Sequence, residues 1–137
     1  MTTVFEQAAM GEVIAELMSE PITAQMLQDY AKASGDSNPL HLDRAFAQKA
    51  GFDDVIVHGM LGMALLGQLL TSHFASADIH SFSTRFLASI PVGSRVHCVA
   101  EIAGRENDDV LLKLVAKVDG AEQIAVSGQA RIGKPIK

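Results

Sequence analysis

The alternation of apolar and polar positions divides the chain into an opening strand, a helical middle and a strand-forming tail. From Gly11 to Glu20 apolar and acidic residues mix in front of Pro21, which predicts a strand ending at that proline. Thr23 then caps a helix running to Ser34, in which Met26, Leu27, Tyr30 and Ala31 recur at three and four positions as one buried stripe. Gly35 supplies its left-handed stop. Arg44 to Ala50 predicts a short second helix closed by Gly51. Met60 to Leu70 predicts a third, apolar on nearly every side, with Gly62 and Gly67 allowing close backbone approach; a helix of that kind must be wrapped by something.

The tail supplies the wrapping. His80 to Ile90, Ser94 to Ala103, Val110 to Val118 and Gln123 to Ile132 are strand-like, separated by turns at Pro91-Val92-Gly93, Glu106-Asn107-Asp108-Asp109 and Asp119-Gly120. Leu112, Leu114, Ala116 and Val118 alternate with Lys113, Val115 and Lys117, as a sheet with one wet face requires. One strand, then helices including a buried one, then consecutive antiparallel strands is an α+β pattern: a sheet curled around a central apolar helix, the arrangement called a hot dog fold.

With 137 residues, 48% of them apolar, the expectation is one domain over residues 1–137. The formal charge of −5 is scattered without a Lys/Arg cluster, which argues against nucleic acid as a partner. The lone Cys98 excludes an intrachain disulfide, and Met1-Thr2-Thr3-Val4-Phe5-Glu6 lacks the charged and apolar regions of a secretory leader, so a cytoplasmic location is expected. The longest apolar run, Val55 to Leu70, falls short of the roughly 20 residues of a bilayer span, and no membrane partner is expected.

The candidate chemistry is concentrated in Asp36-Ser37-Asn38-Pro39-Leu40-His41 and in His58-Gly59-Met60 at the head of the apolar helix. Asp36 and His41 would stand roughly 17 Å apart on an extended chain. Ser37, Asn38 and Pro39 supply the turn that folds them back toward one pocket. An ionised Asp beside a largely neutral His can orient a water while moving a proton, a pair suited to hydrating a double bond or to the reverse. The unpaired amide of Gly59 or its neighbours, at a helix N-terminus, can meet a thioester oxygen and stabilise enolate-like charge.

Each of these residues also has a plainer explanation. Asp36 is a natural turn residue after Gly35, His41 a hydrogen-bonded loop histidine, and Gly59 a packing glycine; His58 suits a loop-holding hydrogen bond better than a base at a helix N-terminus. Asp36, His41 and His58 are chemically able to bind a metal, but no pair has the short helical spacing of a metal motif, so neither metal nor cofactor is expected. His73, His80 and His97 have no partner motif, and Cys98 alternates with Val96, Ala100 and Ile102 as a small buried residue.

The run Tyr30-Ala31-Lys32-Ala33-Ser34-Gly35-Asp36-Ser37-Asn38-Pro39-Leu40-His41-Leu42-Asp43, followed by Ala50-Gly51-Phe52 and Ile56-Val57-His58-Gly59-Met60, resembles the MaoC-like dehydratases, the hydratase 2 group. Arg85 to Gly93 extends the likeness more weakly over most of the chain. The resemblance implies a hot dog fold, a homodimer, and (R)-specific enoyl-CoA hydratase or 3-hydroxyacyl-thioester dehydratase activity on an acyl-CoA or acyl-carrier-protein thioester. By position, Asp36 and His41 would be catalytic and hold the water. Asn38, His58 and Gly59 would form the substrate-binding set, Asn38 supporting the loop and the Gly59 amide binding the thioester oxygen. Three positions depart from the pattern of polyhydroxyalkanoate-linked members: Gly67 stands where a serine is common, and Asp54-Val55 where an Arg-Pro pair is. The Gly59 to Met63 context is closer to acyl-carrier-protein dehydratase subunits, which leaves the carrier and the acyl-chain length open. Arg44, Lys49, Arg85 and Arg131 are the candidate cations for an anionic carrier. The competing functions are a non-catalytic partner subunit of a heterodimeric dehydratase, and a hot dog thioesterase, which needs an acidic residue near a helix that has none between Met60 and Leu70.

Overall fold

Thr23 and Gly35 bound the first helix as expected. Thr23 Oγ1 accepts from the Met26 amide at 3.2 Å, and Gly35 closes the last turn with φ 80° and its amide N–H donating to the Ala31 carbonyl at 2.9 Å, so α1 spans Ala24–Ser34. The structure, a computed structural model, describes residues 8–133; the segment read for a secretory leader lies outside them. The other elements are β1 (Val13–Met18), a single 3₁₀ turn at Pro39–His41, α2 (Arg44–Lys49), α3 (Gly59–His73), β2 (Asp78–Phe86), β3 (Val96–Glu106), β4 (Asp109–Val118) and β5 (Ile124–Gly133).

The five strands form one antiparallel sheet in the order β1-β3-β4-β5-β2. The two-residue Asn107-Asp108 turn, with Asn107 at φ 57°, joins β3 to β4 as a tight hairpin. β2 does not pair with its successor β3 but crosses to the far side of β5, which leaves β1 and β2 as the two edges.

α3 packs against β1, β2, β3 and β4. The sheet face it meets carries Cys98, Ala100, Leu112, Leu114, Ala116 and Ala130, all buried, and the small members of that set let the helix approach closely. Gly62 is needed at this contact, since a β-carbon there would stand 3.2 Å from Val126 Cγ2.

Three expectations need correction. Met26 is 39% exposed instead of buried in the α1 stripe, because its sulfur folds back to accept from the Thr23 amide; Leu27 and Ala31 make the buried face. The strand expected to reach Ile90 ends at Phe86, after which the Leu87 and Ala88 amides share the Ala125 carbonyl. α3 starts at Gly59, ends at His73 and, among the described residues, is wrapped on one side only. Leu66, Leu69 and Leu70 are buried, while Met60 is 53% exposed and Ala64 and Gln68 are exposed, because one sheet covers one flank of a helix. Among the described residues no helix is long and apolar enough to cross a membrane.

Candidate active site

The site is built by two loops that brace each other. In the first, Ser34 Oγ accepts from the Asp36 amide, Asp36 Oδ1 accepts from the Asn38 amide at 3.3 Å, and Asn38 Oδ1 accepts from the Leu40 amide at 3.0 Å. These successive side-chain turns, with Pro39 opening the 3₁₀ turn, reverse the chain so that Asp36 and His41 lie side by side. The second loop, Val55 to His58, is clipped between its neighbours. The Ile56 amide donates to the Leu40 carbonyl at 3.1 Å, and the Val57 amide donates to the Ile90 carbonyl at 2.8 Å.

The imidazoles complete the brace. His41 Nδ1–H donates to the Ile56 carbonyl at 2.8 Å, and His58 Nε2–H donates to the Asp36 carbonyl at 3.1 Å. A carbonyl only accepts, so both tautomers are fixed: neutral His41 keeps its lone pair on Nε2 and neutral His58 keeps its own on Nδ1. The two rings stack with centroids 4.0 Å apart and planes 24° from parallel, and Tyr30 packs on His58 at 4.8 Å.

His58 is 0% exposed, and its Nδ1 is the buried side-chain atom left without a hydrogen-bond partner among the described residues. Burial holds its pKa below the ordinary histidine value, with the His41 charge adding in the same direction; the Asp36 carbonyl bond and carboxylate oppose it. His58, expected among the substrate-binding residues, therefore offers no surface in this chain and contacts Tyr30, His41 and the Asp36 main chain instead. Asp36 is exposed and His41 half-buried.

One ligating atom from each of Asp36, His41 and His58 lies within 4.8 Å of the others. Lone pairs lie in the ring planes, and nearly parallel stacked planes direct them alongside each other, not toward one point about 2 Å from both nitrogens. The arrangement suits proton transfer by adjacent groups better than metal ligation.

α3 begins at Gly59 beside this brace, and the Gly59 amide makes no hydrogen bond among the described residues. Gly59 has a second reason to be glycine, since a β-carbon there would stand 3.2 Å from two ring atoms of Phe86. Phe86 and the Ile56 carbonyl were not singled out in the sequence. Neither has a local signal, because each reaches the site from a distant segment. Tyr30 belongs both to the α1 stripe and to the head of the run that carries the family resemblance, and neither signal points to its contact with His58.

The remaining candidates fall outside the brace. Cys98 is buried on β3, where desolvation pushes its thiol up to about 12, so it is inert packing. Arg131 is held by Asp109 at 2.6 Å and Glu106 at 3.6 Å, and Arg44 faces Asp54 at 3.9 Å, whereas Lys49 and Arg85 form no ion pair among the described residues.

The family model described as "MaoC like domain" matches residues 5–123. The chain is 32% identical over 124 residues to a mitochondrial 3-hydroxyacyl-[acyl-carrier-protein] dehydratase of Arabidopsis thaliana, covering 88% of this chain and 74% of that protein. It is 32% identical over 123 residues to an (R)-specific enoyl-CoA hydratase of Aeromonas caviae, covering 86% and 90%. Some other relatives are longer, and the chain spans 53% of one and 5% of another. Among solved structures, the (R)-hydratase from A. caviae involved in PHA biosynthesis superposes with a TM-score of 0.83 at 30% identity, over 95% of this chain and 99% of that one. The five-stranded antiparallel sheet packed on α3 is thus a hot dog fold, and the chain belongs to the MaoC-like domain family.

Proposed function

We propose that this chain is a hydro-lyase that adds water across the double bond of a 2-enoyl thioester to give the (R)-3-hydroxyacyl thioester, or runs the reverse dehydration. A water held between the Asp36 carboxylate and His41 Nε2 loses a proton to this pair as its oxygen bonds C3. Negative charge then passes to the thioester oxygen, where the Gly59 amide at the head of α3 receives it, and the pair returns a proton to C2 on the same face. Asn38 holds the turn that carries Asp36.

The observation that carries this proposal is the convergence of Asp36 and His41 within 4.8 Å, with the His41 tautomer fixed so that Nε2 keeps the lone pair. Relatives named as an (R)-specific enoyl-CoA hydratase and a 3-hydroxyacyl-[acyl-carrier-protein] dehydratase support the substrate class. α3 contains no acidic residue, which disfavours a thioesterase.

The same proposal includes a single domain over residues 1–137 and a cytoplasmic homodimer. Support for the dimer comes from the open flank of α3 and from the outer edge of β2, which is unpaired among the described residues and sits beside exposed Phe86 and Leu87. The test follows loss of the conjugated enoyl-thioester absorbance when purified protein meets crotonyl-CoA, comparing wild type with Asp36→Asn. Loss in wild type alone is expected; equal loss in both removes Asp36 from the mechanism.

A further inference from the structure

His58 is a buried imidazole that the reaction does not use directly. It nevertheless has three independent ties to the groups that do: a hydrogen bond to the Asp36 main chain at 3.1 Å, a ring stacked on His41 at 4.0 Å, and a position directly before Gly59, the first residue of α3. Its bond is reciprocal with that of His41. Each imidazole donates to a carbonyl of the other's loop, His41 to Ile56 and His58 to Asp36, so the loops are cross-braced through their side chains.

We propose that His58 is a positioning residue for the reaction, setting the distance and angle between the Asp36 carboxylate and the His41 ring and acting on substrate only through them. This extends the Asp36/His41 assignment and rests on it. Three features make His58 suited to the task. Tyr30 on one side and His41 on the other hold its ring plane. The Asp36 carbonyl holds its tautomer. Its lack of exposure removes competition from solvent for that hydrogen bond. The titratable groups facing it are Asp36, His41 and Tyr30; as a neutral ring it places no second cation against His41 when that ring takes up a proton during turnover.

The test compares wild type, His58→Gln, which keeps an N–H donor, and His58→Phe, which keeps a flat ring without the donor. Asp36→Asn and the double variant His58→Gln/Asp36→Asn are assayed on the same thioester. kcat for His58→Phe is expected to fall on the order of 100-fold with KM within about threefold, because misplacement of reacting groups by about 1 Å costs that much. His58→Gln is expected to recover part of the loss. In the Asp36→Asn background, adding His58→Gln is expected to cost no more than about twofold further, since the two act as one unit. An unchanged kcat in both single variants, or full additivity in the double variant, would overturn the inference. An Asp36→Asn with a near-wild-type rate would instead overturn the underlying function, so the two failures are separable. Imidazole ¹⁵N spectra of wild type give a reading independent of variant folding. His58 is expected to stay as the neutral Nε2–H tautomer below the ordinary histidine midpoint, and a His58 that protonates at that midpoint would count against the inference.

Discussion

His41 and Ile56 are fifteen positions apart, yet the histidine Nδ1–H donates to the isoleucine carbonyl at 2.8 Å while the Ile56 amide donates to the carbonyl of the preceding residue, Leu40, at 3.1 Å. Two hydrogen bonds thus hold both backbone polar groups of Ile56 against the other loop and leave Nε2 as the only lone-pair nitrogen of the neutral ring. His41→Ala is expected to lower kcat/KM by about 10²- to 10⁴-fold, the ordinary contribution of a positioned acid or base. Asp36→Asn should fall in the same range while the turn survives, since asparagine retains the oxygen that accepts from the Asn38 amide. Steady-state kinetics alongside thermal melts check both; near-wild-type rates in either variant would count against the assigned role.

The burial of His58 makes stability depend on pH in a defined direction. Its folded pKa lies below the ordinary value of about 6.5, so the unfolded chain binds the extra proton first. The contribution of neutral His58 is fully present above about pH 6.5 and is lost as pH falls from there toward the folded pKa. Urea titrations between about pH 7 and pH 5 should show wild type losing more stability on acidification than His58→Phe. Parallel curves for the two proteins would show that His58 is not the linked group.

Two glycines on α3 are expected to respond oppositely to alanine. At Gly67 a β-carbon meets Phe82 Cε2 at an ordinary 3.6 Å, and alanine gains about 1 kcal/mol of helix propensity, so Tm should hold or rise. At Gly62 the same atom would press on Val126 Cγ2 at 3.2 Å and come within 3.5 Å of Ile90 Cδ1, and overpacking of about 1–3 kcal/mol should lower Tm. Differential scanning calorimetry of the two variants gives the comparison, and a Tm order with Gly62→Ala above Gly67→Ala would contradict the packing described for α3.

Gly128 makes a sharper case within the sheet. A β-carbon there would lie 2.9 Å from the Ser83 carbonyl oxygen and 3.1 Å from Thr84 Cγ2, and the first contact is main chain that cannot rotate away. Gly128→Ala is expected to cost about 1–3 kcal/mol by prying β2 from β5. Hydrogen exchange should show the loss as faster exchange in β2, the edge strand; uniform protection across the sheet would argue against this local cause.

Leu114 and Leu66, both fully buried, face each other's layers across the core, one on β4 and one on α3. Either leucine to alanine should cost about 2–5 kcal/mol, measured as a drop in the denaturant midpoint. A change below about 1 kcal/mol would show that the layer collapses readily around the missing atoms.

Most element types could be read from local pattern because their causes are local. The 3.6-residue stripe and the Thr23 and Gly35 caps of α1 act within a few residues, and the period-two alternation of Leu112, Leu114 and Ala116 needs only the pleat of one strand. Asp36, Asn38, His41 and Gly59 could be singled out because their turn chemistry and spacing are written in two short segments. Met26 misled because its sulfur found a polar partner at the helix cap, which a hydrophobicity pattern does not register. α3 misled because residues apolar all round predict burial all round, without specifying whether one chain supplies all of the cover.

The sequence by itself determined most of the secondary structure, the fold class and the candidates for proton transfer, since propensity, capping and turn formation are set by neighbours along the chain. Only the tertiary structure decided that β2 lies beside β5 and not β3, that Phe86 covers Gly59, and that His41 and His58 stack and trade carbonyls. These contacts join segments fifteen or more residues apart. Their existence depends on how the whole core closes, a property that no short stretch of residues carries.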